Sequence, residues 1–124
     1  MHNPTKLFPL VVTDDLARTR KCYEALGFDV SIDMPDYIQF RYGKDDGGPE
    51  IAFMKPCATT QPFGGGGLIV SIPTDDADQK HAQLQQADVE VLGEPADRPW
   101  GWRSFHVKDP SGVVLDFFHV QRNR

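Results

Sequence analysis

A chain of 124 residues is as a rule a single domain, and its 13 basic against 18 acidic side chains leave a formal charge of -5. That balance argues against general nucleic-acid binding, which needs a basic footprint, and no apolar run reaches the ~20 residues of a membrane span. With 40% hydrophobic and 25% charged residues, the composition is that of a folded, soluble chain. It is expected in the cytosol, because residues 1–10 lack the apolar core of a signal peptide.

Residues 7–12 are apolar and β-rich and read as a buried strand, with Phe8, Leu10 and Val12 on one face. Asp14 or Asp15 can cap a helix behind it, since the free N–H groups of a helix start favour a carboxylate. Leu16, Tyr23 and Leu26 follow at helical spacing, with Arg18, Lys21 and Glu24 opposite them. Gly27 suits the C-terminal cap, where φ is positive. Strands are predicted at 28–34, 37–42 and 50–54, separated by Pro/Asp and Gly-rich turns. The glycines at 64–67 lack the Lys-Ser/Thr that completes a phosphate-binding loop and read as a flexible connector. Beyond them come a strand at 68–72, a helix at 76–87 with Ala77, His81 and Leu84 on one face, and strands at 89–92, 103–107 and 113–120. Lys108-Asp109-Pro110-Ser111-Gly112 makes a tight turn between the last two.

The chain repeats itself. Thr13-Asp14-Asp15 and Thr74-Asp75-Asp76 stand 61 positions apart, each closing an apolar run and opening a helix. The expectation is an α+β fold of two βαβββ modules, at about 6–56 and 67–120, joined by the Gly-rich connector 57–66. Capping accounts for both Asp-Asp pairs without catalysis. Cys22 and Cys57 form no CxxC pair and read as reduced thiols of the usual buried kind. No serine sits in a nucleophile-elbow pattern.

Val12-x-x-Asp15-Leu16, Tyr23-x-x-Leu26-Gly27-Phe28 and Asp109-Pro110-Ser111-Gly112 together resemble the vicinal oxygen chelate superfamily. That group includes glyoxalase I, bleomycin-resistance proteins, fosfomycin-resistance enzymes and extradiol dioxygenases. The resemblance runs from about Leu7 to Val120. It implies curved mixed sheets enclosing a cleft, helices outside, and a homodimer. In the enzymes of the group it also implies one divalent metal, a Lewis acid held by the first and last strands of a module. Carried over by spacing, the first-strand ligand positions fall on Phe8 and Ile69, which cannot donate to a metal, and the last-strand position falls on Asp116.

The cleft therefore reads as apolar and aromatic, with ligand-binding candidates Phe8, Ile69, Trp100, Trp102, Val114, Asp116 and Phe118. Tryptophans contribute most when stacked on something, and Gly101 between them lets their loop fold closely over a bound molecule. Of the histidines, His2 lies in a terminus and His81 on the apolar side of the second helix. Alternation puts His119 on the opposite face from Asp116. The first functional reading is a cofactor-free small-molecule binder that sequesters an aromatic or cationic compound, Asp116 meeting the cation. The alternative is a metal-dependent lyase, isomerase or dioxygenase with a site built from Glu50, His106 and Asp116. A third possibility is an interaction subunit whose cleft is filled by its own side chains.

Overall fold

In the computed structural model, which describes residues 6–43 and 47–121, both helices begin on an aspartate. The Asp15 carboxylate accepts from the Arg18 N–H at 3.0 Å and opens α1 (Leu16–Leu26). Asp76 accepts from the Gln79 N–H at 3.1 Å and opens α2 (Ala77–Leu84). Gly27, at φ 103°, closes α1 by donating to the carbonyls of Tyr23 and Glu24.

Each helix covers one face of a four-stranded mixed sheet. The first holds β1 (Leu10–Val12), β2 (Phe28–Met34), β3 (Tyr37–Tyr42) and β4 (Glu50–Met54) in the order β1-β4-β3-β2. The second holds β5 (Ile69–Pro73), β6 (Glu90–Asp97), β7 (Trp102–Lys108) and β8 (Val114–Val120) in the order β5-β8-β7-β6. In both, the first strand runs parallel to the last and the other neighbours are antiparallel. The fold is α+β, in two βαβββ halves, and neither sheet closes on itself. No helix among the described residues is long and apolar enough to cross a membrane.

One core joins the halves. Tyr23, Leu26, Phe40 and Phe53 of the first cluster with Leu84, Phe105, Leu115 and Phe117 of the second. Two polar contacts cross the same seam. The Tyr23 hydroxyl donates to Asp109 Oδ2 at 2.6 Å, and Lys80 Nζ donates to the Leu26 carbonyl at 2.7 Å. Two motifs, Tyr-x-x-Leu-Gly-Phe and Asp-Pro-Ser-Gly, thus meet in space. Asp109 Oδ1 completes the turn by accepting from the Ser111 N–H, the Ser111 hydroxyl and the Val113 N–H.

Five local features differ from the sequence reading. β1 starts at Leu10, not Leu7, because Pro9 has no N–H for a ladder, although its carbonyl still accepts from Ala52. α2 stops at Leu84 and not at Ala87. Its last bonds, Gln86 to Gln83 and Ala87 to Leu84, are of the tighter i→i+3 kind that unwinds a helix end. β6 runs on to Asp97, since an edge strand tolerates Pro95 and a register shift between Leu92 and Ala96. The glycine connector is not merely flexible: Gly65, Gly66 and Gly67 all have positive φ, and Gly65 packs backbone to backbone on Gly112. Both cysteines are free, but only Cys22 is buried. Cys57 is exposed, with hydrogen bonds from the Thr60 and Thr59 side of its turn drawing its thiol below the ordinary cysteine range.

Candidate aromatic cleft on the second sheet

The core takes Leu115 and Phe117 from β8, so strand alternation turns Val114, Asp116 and Phe118 to the other face. Register then sets their neighbours. Asp116 lies between Ser71 of β5 and His106 of β7, and Phe118 lies opposite Ser104. The Trp102 ring stacks on Phe118 with centroids 3.7 Å apart and planes 10° from parallel. Trp100 stands edge-on to Trp102 at 6.4 Å and is 64% exposed.

A cavity of about 270 Å³ opens on this face. Ile69, Trp100 and Trp102 form its apolar wall, and Ser71, Arg98, His106 and Asp116 its polar side. Arg98 is held by the hairpin turn before β7, where the Gly101 N–H donates to the Arg98 carbonyl. Its guanidinium is anchored at one end only: Nε donates to Ser104 Oγ at 2.8 Å and Nη2 to the Ser104 carbonyl at 3.1 Å. Asp116, 5% exposed, is already partnered. The Ser71 hydroxyl donates to its Oδ2 at 3.3 Å, and His106 Nε2 lies 3.0 Å from its Oδ1. That contact is close but not aligned as a hydrogen bond, which leaves Oδ1 buried without a bonded donor.

Four of the candidates named from sequence, Ile69, Trp100, Trp102 and Asp116, share this cavity. Phe118 lies beneath Trp102 and supports it. Val114 is on the same face and pairs with Ile69 and Lys108, outside the cavity wall. Phe8 belongs to the first module, just ahead of β1, and is not in this cavity. Glu50 is also on the first sheet, where Lys6 and Gln39 donate to its two oxygens. Burial raises its pKa, but these donors and the charges of Lys6 and Arg41 outweigh burial and hold it below the usual range. His81 is satisfied in the core, its Nε2 3.1 Å from the Gly93 carbonyl and its ring edge-on to Phe105. His119 faces the helix, and its Nδ1 accepts from the Ala77 N–H at 2.8 Å. His2 lies outside the described residues. Sequence reasoning did not assign Arg98 or Ser71 to the site. The available signal was Arg98 immediately before Pro-Trp-Gly-Trp, where a hairpin turn returns it over the next strand.

A larger hollow of about 640 Å³ lies at the module seam, between α1 and the β7–β8 turn. Its charges are mixed, from Arg18, Lys21, Asp88 and Lys108, and its buried carboxylate, Asp109, is occupied by four structural hydrogen bonds.

The family model described as the glyoxalase/bleomycin resistance protein/dioxygenase superfamily matches residues 7–117. The chain belongs to this superfamily. No curated protein matches it. Among solved structures, a glyoxalase/bleomycin resistance protein/dioxygenase from Nocardioides is 22% identical at a TM-score of 0.75, covering 100% of this chain and 88% of the other. The bleomycin resistance determinant encoded on transposon Tn5 is 16% identical at 0.73, covering 96% of this chain and 100% of the other. A bleomycin-binding protein complexed with bleomycin is 17% identical at 0.67, covering 97% of this chain and 100% of the other. At these identities the likeness is one of fold.

The divalent metal of the superfamily's enzymes does not fit the donors at this cleft. Ile69 occupies the first-strand position, which leaves one imidazole and one carboxylate, His106 and Asp116, 3.0 Å apart. Glu50 sits on the other sheet. Among the described residues no three His, Cys, Asp or Glu side chains converge as a metal site.

Proposed function

We propose that this superfamily member is a metal-independent small-molecule-binding protein that sequesters an aromatic compound on its second sheet. The observation that carries the reading is the Trp102–Phe118 stack with Trp100 edge-on above it. A rigid aromatic floor with a second, exposed ring beside it suits a planar ligand, which gains stacking energy while covering apolar surface. Of the aromatic and cationic ligands suggested by sequence, the aromatic one is the better supported, because Asp116 already has His106 and Ser71 as partners. The bleomycin-binding relatives of the same fold make sequestration a natural activity for it. A cytosolic homodimer completes the proposal. The exposed apolar side chains Leu10, Met34, Ile69 and Val120 are candidates for burial between subunits, and two free thiols suit a reducing compartment.

Chelator-stripped protein should quench or enhance its tryptophan fluorescence saturably with planar aromatic probes. In calorimetry with Ni²⁺, Zn²⁺, Mn²⁺ and Fe²⁺ it should show no saturable uptake at one ion per chain. Stoichiometric metal binding would overturn metal independence, and fluorescence indifferent to every aromatic probe would overturn the cleft. Sedimentation equilibrium reads the dimer directly.

A further inference from the structure

The polar side of the cleft has a specific donor and acceptor pattern. A carboxylate accepts only, so in the neutral imidazole the hydrogen belongs on Nε2, 3.0 Å from Asp116 Oδ1, and Nδ1 is then an acceptor. No protein donor reaches Nδ1 among the described residues, and the ring lines the cavity. The charged groups facing His106 are Asp116 from β8 and Arg98 from the turn; β6 presents Leu92 and β5 presents Ser71. Arg98 is tied to Ser104 through Nε and Nη2, and among the described residues Nη1 has no partner of its own. Ser104 and His106 are alternate residues on one face of β7, so the guanidinium tied to Ser104 and the imidazole front the same cavity. One bound atom between them would meet an acceptor on one side and a cationic donor on the other.

A hydroxyl fits that pair, because it donates once and accepts as well. An ammonium would meet the Arg98 charge. The cavity, at about 270 Å³, lies just under the ~300–1,000 Å³ of drug-sized sites, which points to one or two rings. The chain's overall negative charge does little here, since it is screened beyond about 8 Å at physiological salt.

We propose that the cleft recognises the acidic hydroxyl of an aromatic ligand, His106 taking its proton and Arg98 holding the aryl-oxide oxygen. The O–H bond breaks and an Nδ1–H bond forms. The imidazolium is then paired with Asp116 and the oxide with Arg98, with no change of oxidation state. The proton also gives the buried Asp116 Oδ1 a charged partner. This inference rests on the aromatic-cleft reading above.

The test uses 7-hydroxycoumarin, whose phenol and phenolate absorb at different wavelengths, beside 7-methoxycoumarin, which has no proton to give. The hydroxyl compound should bind about ten-fold or more tightly than the methoxy one. Its bound spectrum should be that of the phenolate at a pH where the free probe is mostly phenol. His106→Gln keeps an amide N–H for Asp116 but removes Nδ1. It should abolish both the phenolate band and the preference. Arg98→Gln should lose the phenolate band as well, and circular dichroism melts show which variants are folded, so that either one carries the test. Equal affinities, a bound probe that stays phenolic, or a phenolate band untouched in both variants would overturn the inference. If methoxycoumarin still binds in those cases, the aromatic cleft stands; if neither coumarin binds, both readings fall.

Discussion

Replacing Tyr23 by Phe removes one oxygen atom and nothing else. The ring keeps its stack on Phe40 at 5.1 Å and its edge contact with Phe28 at 5.0 Å. What disappears is the donor 2.6 Å from Asp109 Oδ2, on a carboxylate that is 3% exposed. Oδ1 retains its three donors, so the turn should survive, but Oδ2 is left buried without any. An unsatisfied buried charged acceptor costs about 2–3 kcal/mol, and at roughly 4 °C per kcal/mol for a domain of this size the melting temperature should drop about 8–12 °C. The assay is urea unfolding of Tyr23→Phe, Asp109→Asn and the double variant. The double variant should recover at least about 1 kcal/mol relative to the sum of the singles, because neither partner then waits for the other. The pH dependence adds a second check. Burial, with Asp109 adding to it, pushes the Tyr23 hydroxyl well above its ordinary 10. As pH rises past 10 the unfolded chain releases this proton and the folded chain holds it, so the native protein loses about 1.4 kcal/mol per pH unit. Tyr23→Phe has no such proton, and its deficit should narrow above pH 10. A deficit below about 0.5 kcal/mol at neutral pH, or strictly additive variants, would refute the seam argument.

Two further outcomes follow from the same packing. Burial, reinforced by Asp109, pushes the Cys22 thiol from 9.0 up to about 12. Its contribution is therefore fully present below pH 9 and lost between pH 9 and 12. Cys22→Ala should be less stable than the parent at pH 7.5, and the gap should shrink by pH 10.5 in urea titrations; a constant gap would contradict the burial. At Gly112, φ is 100° and an added Cβ would sit 3.3 Å from the Gly65 backbone, whereas Gly43 has a similar φ of 90° with nothing within 4 Å among the described residues. Gly43→Ala should cost about 1 kcal/mol of backbone strain, and Gly112→Ala about 1–2 kcal/mol more, read by thermal melts. Equal costs would mean that the connector gives way freely.

Much of this protein is set within short stretches of chain. The capping aspartates, the Gly27 stop, the period-2 pattern that turns Asp116 and Phe118 away from Leu115 and Phe117, and the Thr-Asp-Asp echo all act over a few residues, so a reader of the sequence meets them directly. The superfamily's motifs are legible for the same reason, although Tyr23 and Asp109 turn out to hold the two halves together from 86 positions apart. The tertiary structure decided which of these faces meet. Parallel pairing of β5 with β8 brings Ser71 and Ile69 beside Asp116 and Val114, across more than forty residues. Antiparallel pairing of β7 with β8 puts His106 against Asp116 and leaves Glu50 on the other sheet. Alternation says which way a side chain points, but only strand register and the turn that returns Arg98 over β7 say what it finds there. The aromatic character of the cleft could therefore be read from residues near one another in the chain. Its polar character, a carboxylate engaged by an imidazole beside a half-anchored guanidinium, arises only once three strands and a turn are brought together.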